Sequence, residues 1–166
     1  DPIDPPRFEA LGRLRTGEGV NPAVYAGLYS AEQQRIAYPD IETVELEVPP
    51  QRAYEVALSL VNKRKWLVID ERPPQPPRRI GRIEAVARTP IMGFREDVSI
   101  RITPDAEDSR VDIRSSSRYF ESDLGSNAAR VSKLIEDINT AVDNAKPTAP
   151  KKPQAPAKTQ AKNVKK

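Results

Sequence analysis

Apolar and polar residues alternate strictly in the segment TVELEV, which starts at Thr43. Val44, Leu46 and Val48 fall on one face, and the two intervening glutamates fall on the other. A period of two with one apolar face predicts a half-buried β-strand. Two prolines follow directly and end the strand, because proline cannot donate to a sheet ladder.

Two other segments carry apolar residues at helical spacing. Behind Pro50 such residues recur three and four positions apart, which predicts an amphipathic helix over about 51–63. A second and longer helix is predicted from about Asp123 or Ser126 to Asn144. Its apolar face consists of Val131, Leu134, Ile135, Ile138 and Val142.

The stretch between these helices indicates four strands. WLVID at 66–70 is a short apolar strand, and the proline-rich segment PPQPPRR after it indicates a loop. Alternating residues then predict strands around 82–88, 98–102 and 110–114, joined by TPIMGF and by the acidic turn PDAEDS. Consecutive antiparallel strands with short connections form a meander. Phe94, in the first turn, is predicted at the core or its edge.

The element order β-α-β-β-β-β-α predicts a two-layer α+β domain over residues 41–145. An antiparallel sheet of about four to five strands would carry both helices on its apolar face, which is similar to helix-grip modules. Residues 1–40 are rich in proline and glycine, which predicts an extended N-terminal arm with at most one short helical turn near 30–37. We expect this arm to lie over the domain without forming a core. Residues 146–166 contain too few apolar residues to fold and are predicted to be a disordered tail.

The turn at PDAEDS determines the register of the last two strands. Pairing Ile102 with Val111 places the apolar residues of both strands on one face. The same parity places Asp97 on the polar face, with Arg114 and Arg118 as its diagonal neighbours. The sequence therefore predicts ion pairs across a solvated outer face of the sheet.

Polar residues concentrate where the last strand meets the last helix, in RSSSRYFESDLGSNAAR. The first interpretation is structural, with a strand–helix clamp and Asp123 or Ser126 capping the first turn of the helix. The second is functional, with arginines that form a recess for an anionic head group or a partner carboxylate. The candidate residues are Asp97, Arg114, Arg118, Asp123, Asn127 and Arg130.

The positive net charge of +3 comes from the tail. Residues 146–166 carry seven lysines and no acid, which leaves 20 basic against 24 acidic residues in the rest of the chain. A basic tail on a mildly acidic body lacks the arginine and aromatic surface of base recognition, so we expect no specific nucleic-acid binding.

Cysteine and histidine are both absent. Disulfides, thiolate metal sites and cysteine nucleophiles are therefore excluded, and so are histidine bases and ligands. No nucleophile elbow or phosphate-binding loop is present. An enzyme would have to use carboxylates, lysine, tyrosine or serine, and we expect no cofactor and no metal.

The segments GRIEAVARTPIMGFREDVSIRI, SRVDIRSSSR and SDLGSNAARV, in this order, resemble the family known as domain of unknown function 1499. The resemblance spans about residues 38–143. The family's GFxDDV pattern is present as GFREDV, with Glu96 in place of the first aspartate. Family members have no established activity, so the resemblance implies no catalytic residue. In many relatives the domain follows membrane segments, with a DPxxPPxF-like stretch after them, and DPIDPPRF opens this chain.

The resemblance implies a membrane-anchored domain of the cell envelope that faces the periplasm, and a cytoplasmic location is the alternative. We expect a non-catalytic role in binding a partner protein or an amphipathic or anionic ligand. One alternative is a hydrolase or transferase that uses Asp97 with a nearby arginine or serine. Another is attachment of the lysine tail to an anionic polymer.

Overall fold

Five antiparallel strands form one open sheet in the order β1-β5-β4-β3-β2. The computed structural model describes residues 1–119 and 125–145. The strands are β1 Val44–Leu46, β2 Leu67–Arg72, β3 Gly81–Arg88, β4 Arg95–Asp105 and β5 Asp108–Ser117. The predicted α+β class and the antiparallel sheet are confirmed, while the likeness to helix-grip modules stays a prediction.

Two helices, α2 (Pro50–Lys63) and α3 (Ser126–Ala145), pack on one face of the sheet, which we call the inner face. α2 begins at a proline, where the missing amide hydrogen costs nothing. The apolar stripes of both helices meet the alternating apolar residues of the strands in a single core. Its fully buried members include Ile83, Ile100, Ile102, Val111, Leu134 and Ile138.

The predicted register of β4 and β5 is confirmed. Ile102 lies opposite Val111, and Asp97 lies opposite Ser116. The connection is tighter than predicted, because the strands continue through most of PDAEDS and leave a turn of two residues. Ala106 enters this turn with a φ of +52°.

The outer face of the sheet is not solvated, contrary to the prediction. The first part of the arm (residues 1–40) lies across it, and Glu84, Asp97, Ser99 and Asp112 are buried there. The carboxylate of Glu84 accepts hydrogen bonds from the backbone amides of Glu9 and Leu11, both at 2.7 Å. Ser99 Oγ donates to the carbonyl of Arg7 at 3.1 Å. The polar face therefore holds a chain segment in place of water.

The arm also forms a small core of its own, which the sequence interpretation did not expect. Phe8 and Leu11 pack with Val86 from β3 on the outer face. The arm is more helical than predicted as well. A short 3₁₀ helix spans Leu11–Leu14, and α1 runs over Leu28–Ala37.

Phe94 is partly exposed at the β3–β4 turn and does not belong to the core. The last helix begins at Ser126, while Asp123 lies outside the described residues. The predicted tail, 146–166, also lies outside them. In the described ranges no helix is both long and apolar enough to cross a membrane.

Candidate binding site at the open edge of the sheet

Asp97 is completely buried on the outer face between two guanidinium groups. Arg15, from the arm, donates from Nε to Asp97 Oδ2 at 2.8 Å. Arg118, just after β5, donates to both carboxylate oxygens, at 2.6 and 3.2 Å. All three side chains are almost fully shielded from water, so the two cations compensate the charge of one buried carboxylate and leave a net positive charge.

Arg15 also ties the arm to the end of β5. Its Nη2 donates to the carbonyl of Ser116 at 2.8 Å, and its Nη1 donates to the carbonyls of Asn21 and Pro22. The Asn21 amide donates to the carbonyl of Arg118 at 2.9 Å. One arginine thus fixes the arm against the strand beside the buried carboxylate.

Arg114 lies next to this cluster but is paired differently. Its guanidinium stacks on Phe8, 4.3 Å from the ring centre, and lies 5.5 Å from the ring centre of Tyr25. It donates to the carbonyl of Ala23 at 3.0 Å. Burial, and then the positive charge of Arg15, lower the pKa of Arg114 to about 10. No carboxylate of the described ranges lies within ion-pair distance of Arg114. Its charge is therefore held by ring faces and one carbonyl.

A second polar cluster lies on the inner face, where β4 and β5 meet the start of α3. Glu96 forms an ion pair with Arg130 and accepts a hydrogen bond from Ser126 Oγ at 2.9 Å. Burial lowers the pKa of Arg130. Asn127 accepts from Ser115 Oγ at 2.6 Å. These bonds fasten the first turn of α3 to the ends of both strands.

The six candidate residues do not form one recess. Arg114 and Arg118 lie on the outer face, and Arg130 lies on the inner face. Arg118 shares the carboxylate of Asp97 with Arg15, while Arg114 forms no ion pair with Asp97. Asn127 joins Arg130 in the strand–helix contacts. Asp123 is the sixth candidate, and its place lies outside the described residues.

The edge of the sheet is open between Val111, where pairing with β1 ends, and Ser117, whose carbonyl accepts from Asn21 Nδ2 at 3.1 Å. β1 pairs only with residues 109–111, through Val44 opposite Val111 and Leu46 opposite Ser109. In the described residues the ladder of β1 and β5 stops at Val44, although Thr43 Oγ1 still donates to Asp112 Oδ1 at 2.6 Å. In an antiparallel sheet, successive residues of a strand form backbone hydrogen bonds alternately to the strand on one side and to the strand on the other. The amide of Arg118 donates to the carbonyl of Arg95 in β4. The even-numbered residues of β5 therefore bond to β4, and Ile113 and Ser115 direct their amide and carbonyl groups to the open edge.

A cavity of about 430 Å³ lies at this open edge. One wall is the C-terminal part of α1 with Tyr38, and another is the first turns of α3. The floor is β5 from Ile113 to Ser116, with Arg114 and Tyr25 at one side. The volume falls within the range of ordinary ligand pockets. Its lining combines apolar side chains, strand-edge backbone groups, the amide side chains of Gln33, Gln34 and Asn127, the acids Asp1 and Glu42, and Arg114, which has no carboxylate partner in the described part of the chain.

The sequence interpretation missed the parts of this site that the arm supplies. Phe8, Arg15 and Tyr25 belong to a segment that was predicted only to lie over the domain. The sequence did contain a signal. Glu84 and Asp97 lie on the polar face of the predicted sheet, and a segment that covered this face would have to supply hydrogen-bond donors to both carboxylates.

The described residues hold no group of three or more acidic, cysteine or histidine side chains arranged as a metal site.

The family model described as "Protein of unknown function (DUF1499)" matches residues 1–138. The chain belongs to the DUF1499 family. The DUF1499 match begins with the arm, whereas the resemblance drawn from the sequence spans about residues 38–143. It ends within α3, so the matched range includes both the arm and the open edge of β5. No curated protein matches the sequence of this chain.

Proposed function

We propose that this DUF1499 domain is a non-catalytic binding module that takes up an extended, carboxylate-bearing segment of a partner protein beside β5. The cavity at the open strand edge is the observation that carries the proposal. An added strand would complete the ladder that β1 leaves after Val111. This mode of recognition draws affinity from backbone hydrogen bonds and specificity from side-chain pockets.

Arg114 supplies the preference for a carboxylate. Arg114 lines the cavity and is partly buried, and the partners of its guanidinium in the described ranges are aromatic rings and a carbonyl. Aligned with the guanidinium, a carboxylate forms charge-assisted hydrogen bonds, which are about twice as strong as neutral ones. An acidic side chain or a chain terminus of the partner segment fits this position.

The polar lining favours a peptide over an acyl chain. Ser115, Ser116 and Asn127 contribute to the cavity wall together with the strand edge. The side chains of Ser115 and Asn127 already bond each other, but the backbone amides and carbonyls of the strand edge would have no partners against hydrocarbon, which costs free energy. An extended peptide offers matching amides and carbonyls.

The hydrolase alternative gains no support from the geometry around Asp97. Both of its carboxylate oxygens are occupied by guanidinium groups, and the residue is fully buried under the arm. A general acid or base has to reach the substrate proton directly or through one water. We therefore assign Asp97 a structural role. In this proposal the domain acts in the periplasmic part of the cell envelope, as the family resemblance implies.

A random heptapeptide library tests the proposed function. We expect panning against the full chain to enrich peptides with an aspartate or glutamate at a fixed position. A synthetic peptide from this set should bind Arg114→Met at least about tenfold more weakly, because a charge-assisted hydrogen bond contributes roughly 1.5–3 kcal/mol. Titration calorimetry measures the change.

Arg110→Met is the matched control, because Arg110 lies on the same strand, pairs with Asp105 at the surface and does not line the cavity. Its affinity for the peptide should equal that of the unsubstituted chain. Equal binding by the Arg114→Met chain would refute the role of Arg114. Failure to enrich any peptide, with a lipid-sized mass released from the purified chain in native mass spectrometry, would favour an amphipathic ligand instead.

A further inference from the structure

The turn between β3 and β4 exposes three apolar side chains at one end of the sheet. Ile91 is 94% exposed, Met92 67% and Phe94 37%. Hydrogen bonds hold the turn in this shape, since the Phe94 amide donates to Thr89 Oγ1 at 2.9 Å and the Thr89 amide donates to the Phe94 carbonyl at 3.0 Å. Gly93 has a φ of +66°, which a side chain would disfavour. The turn therefore presents its apolar residues on a backbone that is fixed by its own hydrogen bonds.

Cations surround the base of this turn. Arg88 at the end of β3 lies directly opposite Arg95 at the start of β4, and both are exposed. Lys65 lies at the same end, because Leu67 pairs with Val86 on the neighbouring strand. Within residues 1–119 and 125–145, none of the three cations has a carboxylate at ion-pair distance. Like charges directly opposite each other destabilise a sheet, so bound anions would be favourable here.

We propose that this end of the sheet docks on an anionic lipid bilayer. The apolar residues enter the boundary between head groups and acyl chains, and the cations meet lipid phosphates. We call this surface the basic tip, and it consists of Lys65, Arg88, Ile91, Met92, Phe94 and Arg95. It is separate from the cavity at β5 and does not depend on what binds there.

The layering of the basic tip matches a bilayer surface. Arg88 and Arg95 lie at the strand ends, and the exposed residues Ile91 and Met92 lie in the turn beyond those ends. Apolar residues are thus outermost and cations lie one level behind, as hydrocarbon and phosphate layers require. A second copy of the chain would meet the same cations with its own. Three apolar side chains also cannot supply the roughly 800 Å² per partner of a stable protein interface.

A fluorophore at one position tests this orientation, because the chain contains no cysteine. Met92→Cys is labelled in the full chain with an environment-sensitive dye and mixed with vesicles of equal parts phosphatidylglycerol and phosphatidylcholine. Val24→Cys, at an 81% exposed position of the arm, is the control. We expect a blue shift and brighter emission at position 92, none at position 24, and no change at either with pure phosphatidylcholine.

The unlabelled chain provides a second measurement that separates the basic tip from the seven lysines of 146–166. The double variant Ile91→Ser/Met92→Ser keeps those lysines, and its partition onto the anionic vesicles should fall at least about tenfold. The double variant Leu28→Ser/Ile36→Ser changes two exposed apolar residues of α1 and should partition like the parent chain.

Three results would overturn the proposal. The chain could fail to sediment with the anionic vesicles. It could sediment while the dye at position 92 remains in water, which would assign vesicle binding to other parts of the chain. It could also form a dimer without lipid that the Ile91→Ser/Met92→Ser variant abolishes, which would assign the basic tip to self-association.

Discussion

Replacing Asp97 by asparagine is expected to lower the free energy of unfolding by about 3–5 kcal/mol, the range for removing one partner of a buried ion pair. The substitution keeps the shape of the side chain but removes the negative charge between Arg15 and Arg118. Both guanidinium groups would then remain buried without a counter-charge, next to a third cation, Arg114. Urea unfolding followed by the fluorescence of Trp66, the only tryptophan, measures the loss.

Asp105→Asn is the matched control for this prediction. Asp105 forms an ion pair with Arg110, with 3.6 Å between the charged atoms, but both side chains are exposed at the β4–β5 turn. Exposed pairs contribute less than about 1 kcal/mol. If Asp97→Asn cost no more than Asp105→Asn, the buried cluster would not hold the arm as described.

Replacing Glu84 by glutamine is expected to cost about 2–4 kcal/mol, because the carboxylate is the acceptor for two buried amides of the arm. Glutamine can accept through its one carbonyl oxygen only, and its amide group would face the second N–H donor. The arm should then separate from the sheet near Leu11. Hydrogen exchange at the amides of Glu9 and Leu11 should become faster by at least about tenfold.

Glu45→Gln is the control for Glu84→Gln. Glu45 is exposed on the three-residue strand β1, so its substitution should change the free energy of unfolding by less than about 0.5 kcal/mol. Unchanged exchange at Glu9 and Leu11 in the Glu84→Gln chain would contradict the role of Glu84 in fastening the arm.

The sheet and its two packed helices could be predicted because their signals are local. Val98, Ile100 and Ile102 alternate with polar residues, a slip of one residue would place them opposite polar residues of β5, and the short turn sets the remaining choice of register. The helices followed from apolar stripes at a spacing of three and four residues. Both kinds of pattern lie within about 20 residues of sequence.

The cover on the outer face could not be predicted in the same way. The hydrogen bond between Glu84 and the amide of Leu11 joins residues that are 73 positions apart in the sequence. A polar strand face also has the same alternating pattern whether water or another chain segment lies on it. The open edge could not be predicted either. TVELEV alternates over six residues, but β1 spans only Val44–Leu46. The alternating pattern therefore overstated the length of β1.

The placement of the arginines shows the limit of a diagonal-neighbour argument. Arg118 does bind Asp97, as its position across the ladder suggested. Arg114 is the other diagonal neighbour, yet it contacts Phe8 and the carbonyl of Ala23. The reason is Arg15, which occupies the remaining side of the carboxylate and comes from a segment 82 positions away.

Amide hydrogen exchange along β5 tests the central claim, that this strand edge is open and receives the partner segment. In the free chain we expect the amides of Ile113 and Ser115 to exchange at least about 100-fold faster than those of Asp112 and Arg114, which bond to β4. A peptide selected from the library should slow exchange at Ile113 and Ser115 alone. Equal protection of all four amides in the free chain, or no change on adding a peptide that binds, would contradict the account.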